Sequence, residues 1–158
     1  MKIRLAVPVE AEECWNIRNQ AIRYGCKNSY DDAVIAAWTP EKMPESYRNV
    51  IVANPFFVVA ADGRLLATGY LDLSTGSIEA VFTLPRYTGK GLGSQIIEAI
   101  KGEARERGFE QLTLSSTPNA QTFYEKHGFK LMQESMYPSA LAQAELRCME
   151  MSINLLGY

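Results

Sequence analysis

The stretch from residue 86 to residue 94 reads RYTGKGLGS and places three glycines at alternate positions. It follows the apolar run SIEAVFTL, and after it apolar residues recur at helical spacing: Leu92, Ile96, Ile97, Ile100 and Ala104. This pattern predicts a strand, a glycine turn and a helix. The first amides of a helix have no partners inside it and carry partial positive charge, and glycine lets an anion approach them. The stretch therefore predicts a cradle for a phosphate or pyrophosphate group.

Three kinds of phosphate site compete for this stretch. A P-loop requires GxxxxGK[ST], which the sequence does not contain. A dinucleotide site requires GxGxxG opening a βαβ unit, with an acidic residue about 20 positions later. Here the spacing is GxGxG, the preceding strands predict antiparallel hairpins, and the next strand ends in two serines. These departures disfavour the dinucleotide site and leave the third kind, an acyl-CoA pyrophosphate site. The order of strand, GxGxG and helix favours such a cradle over a turn that merely joins strand to helix.

The rest of the chain predicts a mixed α/β domain that spans residues 1–158, without repeats or linkers. Alternating or apolar runs predict strands at 2–6, 56–61, 64–73, 77–84, 111–116, 129–135 and 145–155. Helices are predicted from Pro8 to Gly25, once or twice within 28–53, at 94–108 and at 117–128. Asp62-Gly63 predicts a hairpin turn. We expect a loop around Tyr137-Pro138.

Composition and charge disfavour several classes of function, although a local basic patch stays open. Hydrophobic residues make up 47% of the chain and charged residues 22%, with a formal net charge of −2. No basic field favours nucleic acid or membrane partners, and no apolar stretch reaches the roughly 18 residues of a membrane span. The amino-terminal segment turns acidic too early for a signal peptide. Cys14, Cys26 and Cys148 lack metal-site spacing, which predicts three reduced, buried thiols in a cytoplasmic protein without a metal.

Two motifs give the chain a resemblance to the GNAT superfamily of N-acetyltransferases. Thr83-Leu84-Pro85 resembles the family's V-x-P, and the segment 88–93, TGKGLG, resembles its Q/R-x-x-G-x-G/A. Thr88 stands where the family usually has Gln or Arg, a departure that affects one side-chain contact and none of the amide contacts. The second motif, PNAQTFYEKHGF at 118–129, is similar to the family's N-A-x-x-F-Y-x-x-x-G-F. The two motifs occur in the family's order and at its usual separation.

The resemblance implies a fold and a co-substrate. The fold is the GNAT acyl-CoA N-acyltransferase fold, a mixed, twisted sheet of about seven strands with a central helix, in which strands four and five splay apart. The co-substrate is acetyl-CoA, with no metal. The residues that the motifs assign to its binding are Val81, Phe82, Thr83, Thr88, Gly89, Lys90, Gly91, Leu92, Gly93, Ser94 and Asn119.

The resemblance also gives roles to individual residues. Tyr124 is expected near the CoA sulfur, where it can protonate the departing thiolate. Glu79 lies on the strand before the cradle, and strict alternation places it on the face of Val81 and Thr83. It is our candidate for the group that takes the proton of the amine, the alternative being an exposed strand carboxylate. Tyr30 and Trp38 are the expected wall of the acceptor pocket. His127 precedes a helix-ending glycine, which favours a structural role.

The implied function is an acetyl-CoA-dependent N-acetyltransferase, a transferase that moves an acetyl group directly to a primary amine. The acceptor is expected to be a small molecule or a protein amine, and a homodimer is left open as the assembly. The alternative is a non-catalytic protein of the same fold that binds or senses acyl-CoA. A proton acceptor and an open acceptor pocket would distinguish the enzyme from the sensor.

Overall fold

The computed structural model describes residues 1–156 and contains one mixed sheet of seven strands, in the order β1-β2-β3-β4-β5-β7-β6. Neighbouring strands run antiparallel except β4 and β5, which are parallel. The strands are β1 Lys2–Leu5, β2 Phe56–Ala61, β3 Arg64–Asp72, β4 Ser77–Thr83, β5 Gln111–Ser116, β6 Lys130–Ser139 and β7 Ala144–Asn154. The expected mixed sheet of about seven strands is confirmed.

Within residues 1–156, five α-helices connect these strands: α1 Ala11–Gly25, α2 Asp32–Trp38, α3 Glu45–Ala53, α4 Leu92–Glu106 and α5 Gln121–Lys126. The helical pattern within 28–53 therefore corresponds to two helices, and the break predicted near Thr39-Pro40 lies between them. None of the helices in residues 1–156 combines the length and the apolar character needed to cross a lipid bilayer.

Acidic residues at the start of α1 tie this helix to its surroundings. Glu10 forms an ion pair with Arg4 at 2.7 Å, and Glu12 forms one with Arg48. Glu13 accepts a hydrogen bond of 2.7 Å from the amide of Leu65 at the start of β3. These contacts position α1 against the sheet, so the acids of its first turn have a structural role.

Helix α4 covers one face of the sheet at very short range. A Cβ placed on Gly69 of β3 would lie 2.3 Å from Cγ2 of Ile96 and 3.4 Å from Cδ1 of Ile100. Only glycine fits there, because real Cβ atoms do not approach other heavy atoms so closely. Ile96 and Ile100 are fully buried, so this contact fixes α4, and hence the glycine turn before it, relative to β3 and β4.

The opposite face of the sheet carries α1 and α3 through a chain of aromatic contacts. Tyr70 of β3 stacks on Phe56 of β2 with ring centres 5.3 Å apart. Phe56 meets Tyr47 of α3 edge-on, and Tyr47 meets Trp15 of α1 in the same way at 5.0 Å. Because Tyr70 follows Gly69 along β3, these helices lie on the face opposite α4.

Two local predictions have different outcomes. The Asp62-Gly63 hairpin is confirmed, with φ angles of 52° and 77° that suit a two-residue turn. The loop expected at Tyr137-Pro138 is wrong, because β6 continues through both residues and Pro138 pairs with Glu145 of β7. β6 is the last strand of the sheet, where a proline can lie without breaking a ladder on its outer side. The three cysteines are free and buried, as expected.

Candidate active site

The parallel strands β4 and β5 separate almost at once. Their ladder contains one residue pair, Ser77 with Thr113, and the remainder of β4 has no strand partner on that edge. Polar backbone groups along this edge are therefore available to a ligand. The splay predicted between strands four and five is confirmed.

Two cavities open at the splay. The first, which we call the α4 cleft, has a volume of about 800 Å³ and lies between the end of α1, the end of β4 and the start of α4. The second, which we call the aromatic cavity, has a volume of about 310 Å³ and lies beneath α1, α2 and α3. The linings of the two cavities share five residues: Val81, Phe82, Thr117, Ala120 and Tyr124. The two cavities therefore adjoin at this group of residues.

Two glycines of the cradle set the backbone of the α4 cleft. Gly89 and Gly91 have φ angles of 76° and 81°, in the left-handed region that favours glycine. A Cβ at either position would meet no atom within 4 Å, so their conformation rather than crowding requires glycine. Gly91 is the residue before α4, and its carbonyl accepts the amide of Gln95 at 3.1 Å. The backbone amides between Gly91 and Gln95 have no hydrogen-bond acceptor inside the helix, so they can bind an anion.

The third glycine has a different role. A Cβ on Gly93 would lie 3.0 Å from Cζ of Phe123. Phe123 belongs to α5, and its ring also contacts His127 at 4.9 Å between ring centres. Gly93 therefore allows α5 to pack against the first turn of α4, and so brings the second sequence motif to the cradle.

Most of the residues assigned to CoA binding line the α4 cleft. These are Val81, Phe82, Thr83, Thr88, Gly89, Gly91, Leu92, Gly93, Ser94 and Asn119. Lys90 is exposed and lies outside the lining, so its contact with phosphate stays a prediction.

The polar side chains of the cleft are held by other elements. The Thr88 hydroxyl donates to the carbonyl of Pro85 at 3.0 Å. The Asn119 side-chain oxygen accepts from Cys26 and from Ser29, at 3.5 Å each, which joins the turn before α5 to the segment that follows α1. Ser94 is paired with Nε2 of His127 at 3.0 Å. These contacts fix the shape of the cleft before a ligand arrives.

A β-bulge in β4 determines where Glu79 points. Ala80 has a φ of 54°, and its carbonyl accepts a hydrogen bond of 2.8 Å from the hydroxyl of Thr68. Glu79 pairs with Tyr70 and Phe82 with Thr68, so one residue of β3 faces two residues of β4.

The bulge overturns the prediction that Glu79 shares a face with Val81 and Thr83. Val81 lies beside Gly69, 3.2 Å from the position a Cβ would take there, and so faces α4. Glu79 pairs with Tyr70 and lies on the opposite face, in the aromatic cavity. Strict alternation failed because the extra residue shifts the period of the strand by one.

Glu79 is the only carboxylate among the described residues that line the aromatic cavity. Its Oε2 accepts a hydrogen bond of 2.7 Å from the hydroxyl of Ser77. Burial raises the pKa of Glu79 above its ordinary value, and the nearby charges of Asp72 and Glu150 add to this effect, while the Ser77 hydrogen bond opposes it. A carboxylate with a raised pKa is a better proton acceptor than a free one.

The two residues expected to form the wall of the acceptor pocket lie together, and their contact with an acceptor stays a prediction. Tyr30 and Trp38 both line the aromatic cavity and meet edge-on, with ring centres 5.6 Å apart. The Tyr30 hydroxyl donates to the carbonyl of Arg147 at 2.6 Å. This bond ties the segment before α2 to β7, so the wall is anchored on both sides of the splay.

Tyr124 lies where the two cavities meet, with 9% of its surface exposed. Burial raises its pKa well above the ordinary value for tyrosine, and the proximity of Glu79 raises it further. The hydroxyl is therefore protonated at neutral pH and can donate a proton or hydrogen bond into either cavity. Its role beside the CoA sulfur stays a prediction.

His127 has the structural surroundings expected of it. Its carbonyl accepts a hydrogen bond of 2.6 Å from Nζ of Lys101, which is buried in α4. Its ring lies between Ser94 and Glu98 of the same helix. These bonds fasten the end of α5 to α4.

The sequence motifs did not indicate three further residues of the cavities. Cys26 lines the α4 cleft, and Cys148 and Arg18 line the aromatic cavity. Burial raises the pKa of the Cys26 thiol, and that of Cys148 to about 11, so both are poor nucleophiles at neutral pH. Within residues 1–156 no three acidic, histidine or cysteine side chains are grouped as a metal ion requires.

Comparison with known proteins identifies the family. The family described as "Acetyltransferase (GNAT) domain" matches residues 26–153 of the chain. The chain belongs to the GNAT acetyltransferase family. Its matched region includes both sequence motifs, the splay and most of the lining of the α4 cleft, while α1 lies before it.

Similar proteins support this assignment to the GNAT family. An uncharacterised acetyltransferase of Streptococcus pyogenes serotype M1 is 35% identical over 101 residues, which are 58% of this chain and 70% of the relative. The crystal structure of a GCN5-related N-acetyltransferase from Rhodopseudomonas palustris superposes with a TM-score of 0.88 at 20% identity, covering 97% and 94% of the two chains. The PaiA N-acetyltransferase of Thermoplasma acidophilum, solved with coenzyme A, gives a TM-score of 0.79 at 19% identity, covering 97% and 98%.

Proposed function

We propose that this GNAT protein is an acetyl-CoA-dependent N-acetyltransferase that transfers the acetyl group directly to a primary amine. The observation that carries the proposal is the meeting of two cavities at Tyr124, one with a cradle of backbone amides and the other with the partly buried carboxylate of Glu79. An enzyme that joins two substrates needs two sites that open onto one point.

The α4 cleft is the proposed site of acetyl-CoA, which supplies a thioester as the acyl donor. The amides between Gly91 and Gln95 would hold the pyrophosphate at the positive end of the α4 dipole. The unpartnered edge of β4 at Val81, Phe82 and Thr83 would hold the pantetheine arm and place amide donors near the thioester carbonyl. The PaiA N-acetyltransferase, a structural neighbour, was solved in complex with coenzyme A, which supports this use of the fold.

The aromatic cavity is the proposed site of the amine. A primary amine reaches the enzyme mainly as an ammonium ion, which has no lone pair with which to attack a thioester. Glu79 can hold this ammonium and then take a proton from it, directly or through a water molecule. Its raised pKa improves its match to that task.

Tyr124 is the proposed donor to the leaving thiolate. It lies at the junction of the cavities, and its raised pKa keeps its proton in place until the sulfur develops negative charge. Cys26 lines the α4 cleft and Cys148 lines the aromatic cavity, and burial disfavours the thiolate of each. Both facts support direct transfer over an acetylated enzyme.

A non-catalytic acyl-CoA sensor of the same fold would need the α4 cleft alone. It would have no use for a second cavity that contains a partly buried carboxylate. The volume of this cavity, about 310 Å³, is at the lower end of small-molecule sites. The aromatic cavity therefore favours the enzyme over the sensor.

The test is the release of CoA thiol from acetyl-CoA in the presence of a panel of amines, amino acids, polyamines, aminoglycosides and peptide amino termini. We expect amine-dependent release with an acetylated amine identified by mass spectrometry, and its loss in Tyr124→Phe. Tight acetyl-CoA binding without thiol release from any amine would overturn the enzyme in favour of the sensor.

A further inference from the structure

A buried arginine lies in the aromatic cavity without a counter-ion. Arg18 of α1 is 8% exposed and lines the cavity. Its guanidinium carbon lies 4.2 Å from the ring centre of Trp15 and 5.8 Å from that of Trp38. Burial lowers the pKa of Arg18 to about 10, so the group remains charged at neutral pH.

Only part of the guanidinium is used by the protein. Its Nη1 donates to the side-chain oxygen of Asn19 at 2.8 Å and to the carbonyl of Trp38 at 2.9 Å. An arginine has five N–H donors, so those on Nε and Nη2 remain. Neither nitrogen is fully enclosed, because the one enclosed side-chain nitrogen or oxygen without a partner in residues 1–156 is the hydroxyl of Tyr47. Since Arg18 lines the aromatic cavity, we take the space that Nε and Nη2 face to be this cavity.

No carboxylate within residues 1–156 lies within 4 Å of Arg18. A buried charge without a partner is costly, and proteins rarely keep one except where a ligand completes it. Tyr47, which lines the same cavity, likewise has no acceptor for its hydroxyl. This wall of the cavity therefore has an excess of donors and lacks a negative group.

A purely structural role does not account for this arrangement. Arg23 shows what such a role looks like on the same helix: its side chain donates to Thr39 through Nε at 3.0 Å and Nη2 at 2.6 Å, and pairs with Glu41 at 3.0 Å. Arg23 thus fastens α1 to the segment after α2 and neutralises its charge outside the cavity. Arg18 likewise fastens α1 to the end of α2, but through Nη1 alone, and no acidic side chain in residues 1–156 neutralises its charge.

We propose that Arg18 binds an anionic group, a carboxylate or a phosphate, on the amine that this enzyme acetylates. The open nitrogens offer the forked geometry that suits such oxygens. Glu79 lines the same cavity and supplies the negative charge for the ammonium end of the substrate. The aromatic cavity is then complementary to a small zwitterion, that is, an amino acid or a related amine with an acidic group. This inference rests on the proposed acetyl transfer and names its substrate class.

The first test uses matched substrates with the wild-type protein and acetyl-CoA. The panel contains free amino acids and ω-amino carboxylates, their neutral carboxamides, and aminoalkyl phosphonates as the second anionic arm. We expect kcat/KM of the best anionic amine to exceed that of its carboxamide by about 10-fold to 100-fold, because a charged hydrogen-bonded pair is lost. Equal or faster turnover of the neutral amides would overturn the proposal.

The second test distinguishes a role of Arg18 in anion binding from a role in the stability of the fold. Arg18→Lys keeps the charge but loses the fork, and Arg23→Lys is the matched control on the same helix. We expect Arg18→Lys to lower kcat/KM about 10-fold or more for the anionic amine and little for its carboxamide, chiefly through KM. Arg23→Lys should affect both substrates alike. An equal loss on both substrates in Arg18→Lys would assign Arg18 to structure alone.

A binding measurement distinguishes failure of this inference from failure of the enzyme assignment. Calorimetry of the CoA-bound protein with the same amino carboxylates and carboxamides needs no turnover. Preferential binding of the anionic members, lost in Arg18→Lys, would support the anion site even if no thiol were released. Thiol release without any preference for anionic amines would instead keep the enzyme and remove the anion site.

Discussion

The α4 cleft and the aromatic cavity adjoin at the splay, but they are built from different parts of the chain. The cleft is formed by backbone, with Gly89 and Gly91 in left-handed conformations and the amides of the first turn of α4 exposed. The cavity is formed by side chains, with Arg18 from α1 and Glu79 from β4 as its charged members. The cleft depends on conformation, whereas the cavity depends on which side chains reach it.

Because of this difference, the two sites recognise different features of their ligands. A cradle of amides binds any phosphate of suitable reach and makes few demands on the side chains around it. A cavity whose recognition depends on one cation and one carboxylate binds a particular arrangement of charges. Substitutions in the cleft should therefore affect binding of acetyl-CoA with every acceptor, and substitutions in the cavity should affect the amine alone.

The largest effect is expected in the cleft, from Gly91→Val. A β-branched residue is strongly disfavoured at a φ of 81°, so the turn must change and the amides of α4 must turn away from the phosphate. We expect acetyl-CoA binding to fall about 100-fold or more, measured by calorimetry and by loss of the ligand-induced rise in melting temperature.

The matched control is Gly102→Ala, in the middle of α4. A Cβ at Gly102 meets nothing within 4 Å, and alanine favours the helix by about 1 kcal/mol. This variant should be more stable and bind acetyl-CoA normally. Normal binding by Gly91→Val as well would remove the cradle from the account.

The next effect concerns the junction of the two cavities. Tyr124→Phe keeps the ring and removes the proton that we assign to the leaving thiolate. We expect kcat to fall about 100-fold or more while the affinity for acetyl-CoA is nearly unchanged. A substrate for which chemistry limits the rate must be used, and on such a substrate an unaltered kcat would exclude Tyr124 as the proton donor.

On the cavity side, Glu79→Gln preserves shape and removes the basic form. We expect kcat/KM to fall roughly 10-fold to 1,000-fold, with the loss shrinking at high pH, where free amine becomes abundant. Acetyl-CoA binding should survive, because Glu79 lies in the other cavity. A pH–rate profile identical to that of the wild type would place the proton acceptor elsewhere and leave the acetyltransferase standing.

The same variant tests the burial of Glu79 through stability. Burial raises its pKa in the folded protein above the value of about 4.3 in the unfolded chain, so the folded state binds this proton more tightly. The free energy of unfolding of the wild type should therefore fall, relative to Glu79→Gln, as pH rises above about 4. Melting curves of both proteins from pH 4 to pH 8 measure this difference. If Glu79→Gln instead became less stable relative to the wild type as pH rises, the raised pKa of Glu79 would be contradicted.

The smallest effect is expected at Tyr47. Its hydroxyl is enclosed and unpartnered, so Tyr47→Phe removes an unsatisfied donor and should be neutral or stabilising by about 1 kcal/mol. Denaturant unfolding measures this change. A clear loss of stability would reveal a partner, such as a buried water, and would weaken the argument that this wall of the cavity lacks acceptors.

The contrast between the two sites also explains what the sequence could predict. The cleft comes from one continuous stretch whose glycines and flanking apolar runs signal a local structure, so the cradle, the strand before it and α4 could be inferred. The motif at 118–129 added Asn119 and Tyr124. The resemblance to the GNAT family gave the mixed sheet of about seven strands and the splay between strands four and five.

The cavity could not be predicted in the same way because its residues are distant in sequence. Arg18 lies on the buried face of α1, four residues after Cys14 and four before Ile22. A charged residue on an otherwise apolar helix face is the one local sign in the sequence that Arg18 has a special role. The orientation of Glu79 depends on the bulge at Ala80, held by a hydroxyl of another strand. Pro138 lies in a strand because β6 is at the edge, which only the assembled sheet determines.

The central claim is that the acetyl group crosses directly from the α4 cleft to the aromatic cavity. Initial rates measured while both acetyl-CoA and the amine are varied test it most directly, combined with mass spectrometry of the enzyme after incubation with acetyl-CoA alone. Direct transfer predicts intersecting double-reciprocal lines and an enzyme of unchanged mass. Parallel lines together with an acetyl group on Cys26 or Cys148 would contradict it.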